Sequence, residues 1–269
     1  MENNEFEFNE LFYKQIIGAP MGGLLSPTST DLHLSGILNK ILDKFQHREN
    51  INLHCQYRDD GFMTFSGNVQ QIEHLFKIAN NIDPLLKFTY EYSYDIVTYL
   101  DTEIYKGERF KQTGILDIKS HIKKTETYQY LSTDSSHPKH TFNSITKAET
   151  IRHIRNNSNE KELNIHLSTL KNKLIKRGYN RNKTNEIINK TKDNTDRVNI
   201  LSHKHRDKNI PLTMVTKYNP VVKNLNRILR KHWDQMIQDK VCKHIFIKKP
   251  IIAYKHNKNL KEYFAKARS

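Results

Sequence analysis

Residues 53–65 leave the chain few ways to fold. Leu53–Tyr57 and Phe62–Phe65 are short apolar-rich runs, and Asp59, Asp60 and Gly61 between them have the composition of a tight turn. The pattern predicts a β-hairpin with two adjacent carboxylates at its tip. Like charges at contact distance raise one pKa strongly, so both acids stay ionised cheaply only with cations between them. Two divalent ions would remove that penalty, activate a hydroxyl nucleophile and steady a departing pyrophosphate. Taken alone, Asp59-Asp60-Gly61 better suits a plain polar turn. Upstream, Gly18-Ala19-Pro20-Met21-Gly22-Gly23-Leu24-Leu25-Ser26-Pro27 reads as a glycine-rich bend that opens onto a helical pattern.

Charge divides the chain. Residues 1–105 carry seven Lys/Arg against fifteen Asp/Glu, a net of -8, whereas the rest nets +23 and brings the whole to +15. An acidic front suits a metal-binding catalytic sheet, and a basic rear suits a surface that follows a phosphate backbone. Cys55 and Cys242 are too few and too far apart for a disulfide framework or a four-ligand zinc site. An intracellular, reducing compartment is therefore expected, and the nucleus fits a nucleic-acid partner. No apolar run approaches the roughly twenty residues needed to cross a bilayer, so no membrane partner is expected.

Periodicity gives a coarse outline. Phe6, Phe8, Leu11 and Tyr13 predict a short strand or hairpin, and Leu32–Phe45 a helix packed on one face. Val69–Ala79 predicts a second amphipathic helix stopped by Pro84. Phe88–Tyr92 and Ile96–Tyr105 read as two antiparallel strands joined around Ser93–Asp95. After residue 106 a short strand is expected at Ile115–Ile118. Helices follow at Ser144–Arg155, Glu160–Arg177 and Asn182–Lys192, with Gly178 closing the middle one. Ser202–Asn209 reads as a polar linker, Pro211–Tyr218 and Ile245–Tyr254 as strands, Pro220 as the first residue of a helix through Trp233, and Leu260–Arg268 as a basic helix.

In order and spacing these segments resemble the reverse transcriptase of Penelope-like retroelements, more distantly related to telomerase. Gln15 with Gly18-Ala19-Pro20-Met21-Gly22 resembles the entry into motif B. Tyr57-Arg58-Asp59-Asp60 resembles motif C, Leu86-Lys87-Phe88-Thr89 with Glu91 the motif D region, and Tyr99-Leu100-Asp101 the next palm segment. Tyr130-Leu131, His137-Pro138-Lys139-His140-Thr141, Arg152-His153-Ile154-Arg155 and Arg177-Gly178-Tyr179 resemble that family's thumb. Tyr218-Asn219-Pro220, Trp233 and Pro250–Tyr254 resemble its closing segments.

The resemblance implies an α+β fold: a partial polymerase palm over 1–105, an antiparallel sheet with helices on one face, then a mostly helical basic thumb over 106–201 and a thumb extension or connector over 202–269. It implies RNA-templated DNA synthesis on a DNA primer from deoxynucleoside triphosphates with Mg²⁺ or Mn²⁺. Asp59 and Asp60 would be the catalytic metal ligands, with Asp59 the more central. Gln15, Gly18, Met21, Gly22, Ser26, Pro27 and Lys87 would face nucleotide and template. Arg58, His137, Lys139, His140, Arg152, Arg155, Lys173 and Arg177 would contact nucleic acid. The family's motif A, with the first catalytic aspartate, and its fingers are expected before Met1, so the chain is expected to be inactive as it stands. The alternative is a catalytically dead remnant that only binds nucleic acid through its basic half. A dedicated nuclease is disfavoured because no further carboxylate or histidine cluster accompanies the pair.

Overall fold

The computed structural model describes residues 4–123, 125–202, 212–219, 225–245 and 249–255. Ser202 is the only residue of the expected linker among them, and Pro220 and Leu260–Arg268 lie outside them. The fold is α+β, in two compact units, Met1–Asp117 and Ile118–Ser269. Among the described residues, no helix is long and apolar enough to cross a membrane.

In the first unit, β1 (Glu5–Phe8) and β2 (Leu11–Lys14) form the hairpin the alternating aromatics predict, with Phe6 opposite Tyr13 and Phe8 opposite Leu11. The bend that follows needs its glycines, because Gly18 and Gly22 sit at φ +87° and +85°, a region that costs residues with a Cβ. Helix α1 (Ser26–Lys44) begins with Pro27 in its first turn, where a missing N–H costs nothing. It buries Ile37 and Ile41, and Phe45 at its C-cap is buried with them.

After a single 3₁₀ turn (Arg48–Asn50), β3 (Ile51–Tyr57) and β4 (Asp60–Phe65) pair antiparallel, as expected. Helix α2 (Val69–Asn80) starts with a capping box between Asn68 and Gln71. Leu75 and Ala79 from α2 join Ile37, Ile41 and Phe45, with Ile51, Met63 and Phe65 packed against them. One face of the β3–β4 hairpin thus lies on both helices. Each such large apolar side chain removed from water stabilises by about 1.5–3 kcal/mol, which holds the hairpin in place.

Four expectations need correction. Pro84 does not stop α2, which already ends at Asn80, where the Asn80 amide bonds to the backbone N–H and C=O of Phe88 (2.7 and 3.0 Å). Residues 88–92 form no strand, and the Asn80 side chain occupies the backbone groups of the first of them, Phe88. Ile96–Tyr105 is not one strand but a hairpin, β5 (Ile96–Tyr99) and β6 (Thr102–Tyr105), turning at Leu100 (φ +55°) and Asp101. β1–β2 and β3–β4 are separate two-stranded sheets, and β5–β6 belongs to a third sheet, of three strands, where a single palm sheet was expected. Helix α3 (Glu108–Thr113), unforeseen, closes on Gly114 at φ +70°.

The second unit begins with β7 (Asp117–Ser120, whose first residue closes the first unit), two residues later than the expected strand. Helices α4 (Lys139–Asn156), α5 (Glu160–Lys176) and α6 (Arg181–Asp193) match the expected three, followed by a short α7 (Arg197–Leu201) that the sequence did not announce. Leu163, Leu167, Leu170 and Leu174 of α5 pack with Ile154 of α4, Ile188 of α6 and Tyr179. Thr146 and Thr150 of α4 and Thr184 and Thr191 of α6 are also buried. The hydroxyls of Thr146 and Thr150 donate to carbonyls one turn back (3.2 and 2.7 Å), so these small residues enter the interior with their polar atoms satisfied. Strands β8 (Thr213–Lys217) and β9 (Ile251–Lys255) pair in parallel, and α8 (Leu225–Gln238) buries Trp233. Ile245, expected to open a strand, instead ends the short helix α9 (Cys242–Ile245).

Between α5 and α6, Gly178 at φ +90° donates to the carbonyl of Ile175, and Tyr179 to that of Leu174 (3.0 and 3.2 Å). Leu174 and Tyr179 then meet in the core. This is a Schellman stop with its apolar contact. A Cβ at Gly178 would also collide with Thr133 Oγ1. Gly178→Ala is expected to destabilise the helical unit by about 1–3 kcal/mol, the range for a non-glycine residue held in a left-handed conformation, measurable as a lower midpoint in urea. An unchanged midpoint would show that the turn relaxes.

β7 is tied to the α4–α5 corner through His153. Asn157 donates to Ser120 Oγ (2.9 Å), which leaves the Ser120 hydroxyl proton for His153 Nδ1 (3.2 Å). The His153 ring stacks on His166 at 5.5 Å. Burial, then the neighbouring His166 and Arg152, push the His153 pKa down to about 4. The unfolded chain takes up the proton near 6.5, so this residue's contribution is complete above pH 6.5 and is lost as pH falls towards 4. Denaturation of the helical unit is expected to cost about 3 kcal/mol less at pH 4 than at pH 7 on this account, with the difference absent in His153→Gln.

Candidate functional site

At the tip of β3–β4, Tyr57 pairs with Asp60, so Arg58 and Asp59 form a two-residue turn. Arg58 sits at φ +53°. Glycine is the usual solution at such a position, and strain kept at a tip points to a demand other than stability. Gln56 braces the turn by donating to the Arg58 carbonyl (2.6 Å), and it lies so close over Gly61 that a Cβ there would come within 2.9 Å of its oxygen. The Arg58 guanidinium rests 5.8 Å from the centre of the Tyr57 ring.

Both aspartates are exposed. Asp60 lies on the hairpin face away from the helices, with Cys55 and Phe62; the Phe62 ring meets Tyr99 at 5.7 Å. Burial, then Cys55 and Asp60, raise the Tyr99 phenol above its ordinary pKa, which keeps it protonated beside the carboxylate.

Arg58, Asp59, Asp60 and Lys87 line one open cleft of about 1020 Å³, whose floor is the apolar core of α1 and α2. The bend residues are absent from its wall. Gln15 accepts from Asn4 (2.6 Å) and donates to the Ile17 carbonyl (2.8 Å), closing its own loop. Met21 is wholly exposed, Gly18 and Gly22 shape the bend, and Pro27 starts α1. Ser26 is buried and its hydroxyl has no hydrogen-bond partner. Among the described residues, no group of three or more His, Cys, Asp or Glu is placed to hold a metal ion.

The basic unit uses several of its predicted contacts internally. The Lys173 ammonium sits 4.3 Å over the Tyr128 ring and Arg177 donates to Gln129, so these α5 cations fasten the preceding loop. Arg152 pairs with Glu149 at 3.7 Å. The His137 ring lies edge-on to Phe142, with Nδ1 buried and unpartnered, and His140 lies beside Tyr254. Lys139 and Arg155 are exposed at the two ends of α4.

Sequence reasoning missed α6 as a surface. Asn180 caps it by accepting from Lys183 N–H (3.0 Å), and its first turn holds no acid. Arg181, Asn182, Lys183, Asn189 and Lys190 are exposed along it. Amides and cations alternating on an exposed helix would have been the signal, visible once the buried Thr184, Ile188 and Thr191 fix its inner face.

The family model for the animal helix-turn-helix domain matches residues 129–189, which run from the loop fastened by Arg177 through α4 and α5 into α6. No curated protein and no solved structure matches the chain.

Proposed function

We propose that this chain is the partial palm and the basic thumb of a reverse transcriptase of the Penelope-like kind, with the second unit binding nucleic acid. The observation that carries the catalytic part is the exposed Asp59–Asp60 pair on a braced, strained hairpin tip, at the border of the cleft that also holds Lys87. The animal helix-turn-helix match and the exposed cations of α4 and α6 support nucleic-acid binding by the second unit.

The residues fit a divalent ion of the Mg²⁺ kind. Such an ion binds through one or two carboxylates and completes its shell with water and substrate phosphates. Asp59 and Asp60 would hold it, and it would supply activation of the primer hydroxyl and charge neutralisation at the departing pyrophosphate. Asp59 is set in the turn and so reaches furthest from the sheet. Asp60, on the outer face beside Tyr99, supports it. Lys87 offers its ammonium to the phosphates of the incoming nucleotide.

A second reading, nucleic-acid binding without catalysis, is favoured for the chain by itself by one observation: the described residues bring no third carboxylate to the pair. The test is primer extension on an RNA template, with and without a fused segment carrying the first catalytic aspartate. Extension is expected only from the fused protein, with binding of the RNA–DNA duplex by both. Extension that survives Asp59→Ala would overturn the site assignment.

A further inference from the structure

Residues 88–95, between α2 and β5, carry an aromatic residue at every second position: Phe88, Tyr90, Tyr92 and Tyr94. All four line the cleft that contains Asp59 and Asp60. The segment is pinned at both ends. At one, the Asn80 amide holds the Phe88 backbone through two hydrogen bonds. At the other, Ser93 Oγ accepts from the backbone N–H groups of Asp95 and Ile96 (3.2 and 3.3 Å). Such a strap loses little further freedom when a ligand lies on it.

The first two rings of the row are already occupied. Phe88 packs on the core of α1 and α2, and Tyr90 stacks on Phe76 at 4.3 Å with an interplanar angle of 24°. The last two are open: Tyr92 and Tyr94 meet only edge to face (6.4 Å, 89°) and remain 51% and 71% exposed. Two uncovered rings held at the rim of a cleft that contains Lys87 and a carboxylate pair do not suit a purely apolar occupant, which would strip water from those charges. A nucleobase suits both parts, because its face stacks on the phenol ring while its phosphate stays in the charged, wet part of the cleft.

We propose that Tyr92 and Tyr94 form a stacking platform for unpaired bases of a single nucleic-acid strand at the mouth of the Asp59–Asp60 cleft. This rests on the proposed nucleic-acid function and adds to it where, and in what state, the strand is held. Bases inside a duplex are stacked on one another, so an aromatic platform of this kind takes only unpaired ones. Residues 1–105 carry a net of -8, so long-range charge does not draw a strand to this place and the preference is set by ring contact.

The experiment is fluorescence anisotropy with the full chain and Mg²⁺, comparing an oligothymidylate of ten residues with an abasic strand of the same length. Stacking contributes roughly 5- to 150-fold per base, so the wild type is expected to prefer the strand with bases by about tenfold or more. Tyr92→Leu with Tyr94→Leu is expected to bring the two strands within about twofold, and Tyr92→Phe with Tyr94→Phe to restore the preference, since phenylalanine keeps the ring. A preference that survives the leucine pair, or equal wild-type binding of both strands, overturns the platform while leaving charge-driven binding by the second unit intact. Displacement of the oligomer by an equal concentration of thymidine triphosphate would assign the rings to a free nucleotide and overturn the single-strand assignment. Binding of neither strand would overturn the nucleic-acid function itself.

Discussion

Primer extension on an RNA template is expected to fall roughly a thousandfold when Asp59 is replaced by alanine, in a protein that joins this chain to a segment supplying the first catalytic aspartate. A metal ion contributes several kcal/mol of transition-state charge stabilisation, and each 1.36 kcal/mol is a factor of ten. On the proposed function Asp59 would carry the larger share, because it occupies the turn itself, whereas Asp60 is the first residue of β4 and lies on the face shared with Cys55, beside Tyr99. Asp60→Ala should therefore cost less, about tenfold, the scale of a residue that orients a ligand. Asp101 is also a carboxylate at a hairpin tip, but on β5–β6, and Asp101→Asn is expected to leave extension within a factor of about two. Equal losses for Asp59→Ala and Asp101→Asn would mean that the chemistry does not sit at β3–β4.

The second large effect concerns salt. The excess of cations lies in the rear of the chain, and on α6 alone Arg181, Lys183 and Lys190 are exposed. If such residues neutralise about five phosphates, the binding constant falls with a log–log salt slope of about -4.5, or about 500-fold between 50 and 200 mM monovalent salt. Lys183→Ala and Lys190→Ala should each flatten the slope by about one, because each removes one counterion-releasing contact. Lys173→Ala should flatten it less, since its ammonium is held over Tyr128. Anisotropy titrations of an RNA–DNA duplex at four salt concentrations measure all of this. A slope near zero in the wild type would exclude backbone tracking by the second unit.

The hairpin at 51–65 and the helices around it were legible because their apolar periods are strong and their turn residues are distinctive. The α5–α6 turn was legible for the same reason: only glycine sits easily at φ +90°, and Gly178 stands at the end of a leucine repeat. The strap at 88–95 misled because alternating aromatics have a strand's pattern, while the Asn80 side chain takes the backbone groups of Phe88, a contact the local pattern does not announce. The break at Leu100 was hidden because Leu100 is an apolar residue in a left-handed conformation, which composition does not flag. Within the basic unit, buried threonines and the asparagine caps resemble loop composition, so α6 was predicted as a helix without its inner and outer faces.

At the candidate site, the carboxylate pair and Lys87 named from the sequence share a cleft, and Lys173, Arg177 and His137, named for nucleic acid, contact Tyr128, Gln129 and Phe142. The Lys173 and Arg177 pairings depend on residues far back in the chain, Tyr128 and Gln129, which no local pattern records.

The most direct measurement of the central claim is manganese broadening of amide NMR signals in the chain itself, with a deoxynucleoside triphosphate present. The account predicts that Mn²⁺ selectively erases the signals of residues 57–61, and that Asp59→Ala with Asp60→Ala restores them. Broadening that spares the β3–β4 tip, or that persists unchanged in the doubly substituted protein, would contradict it.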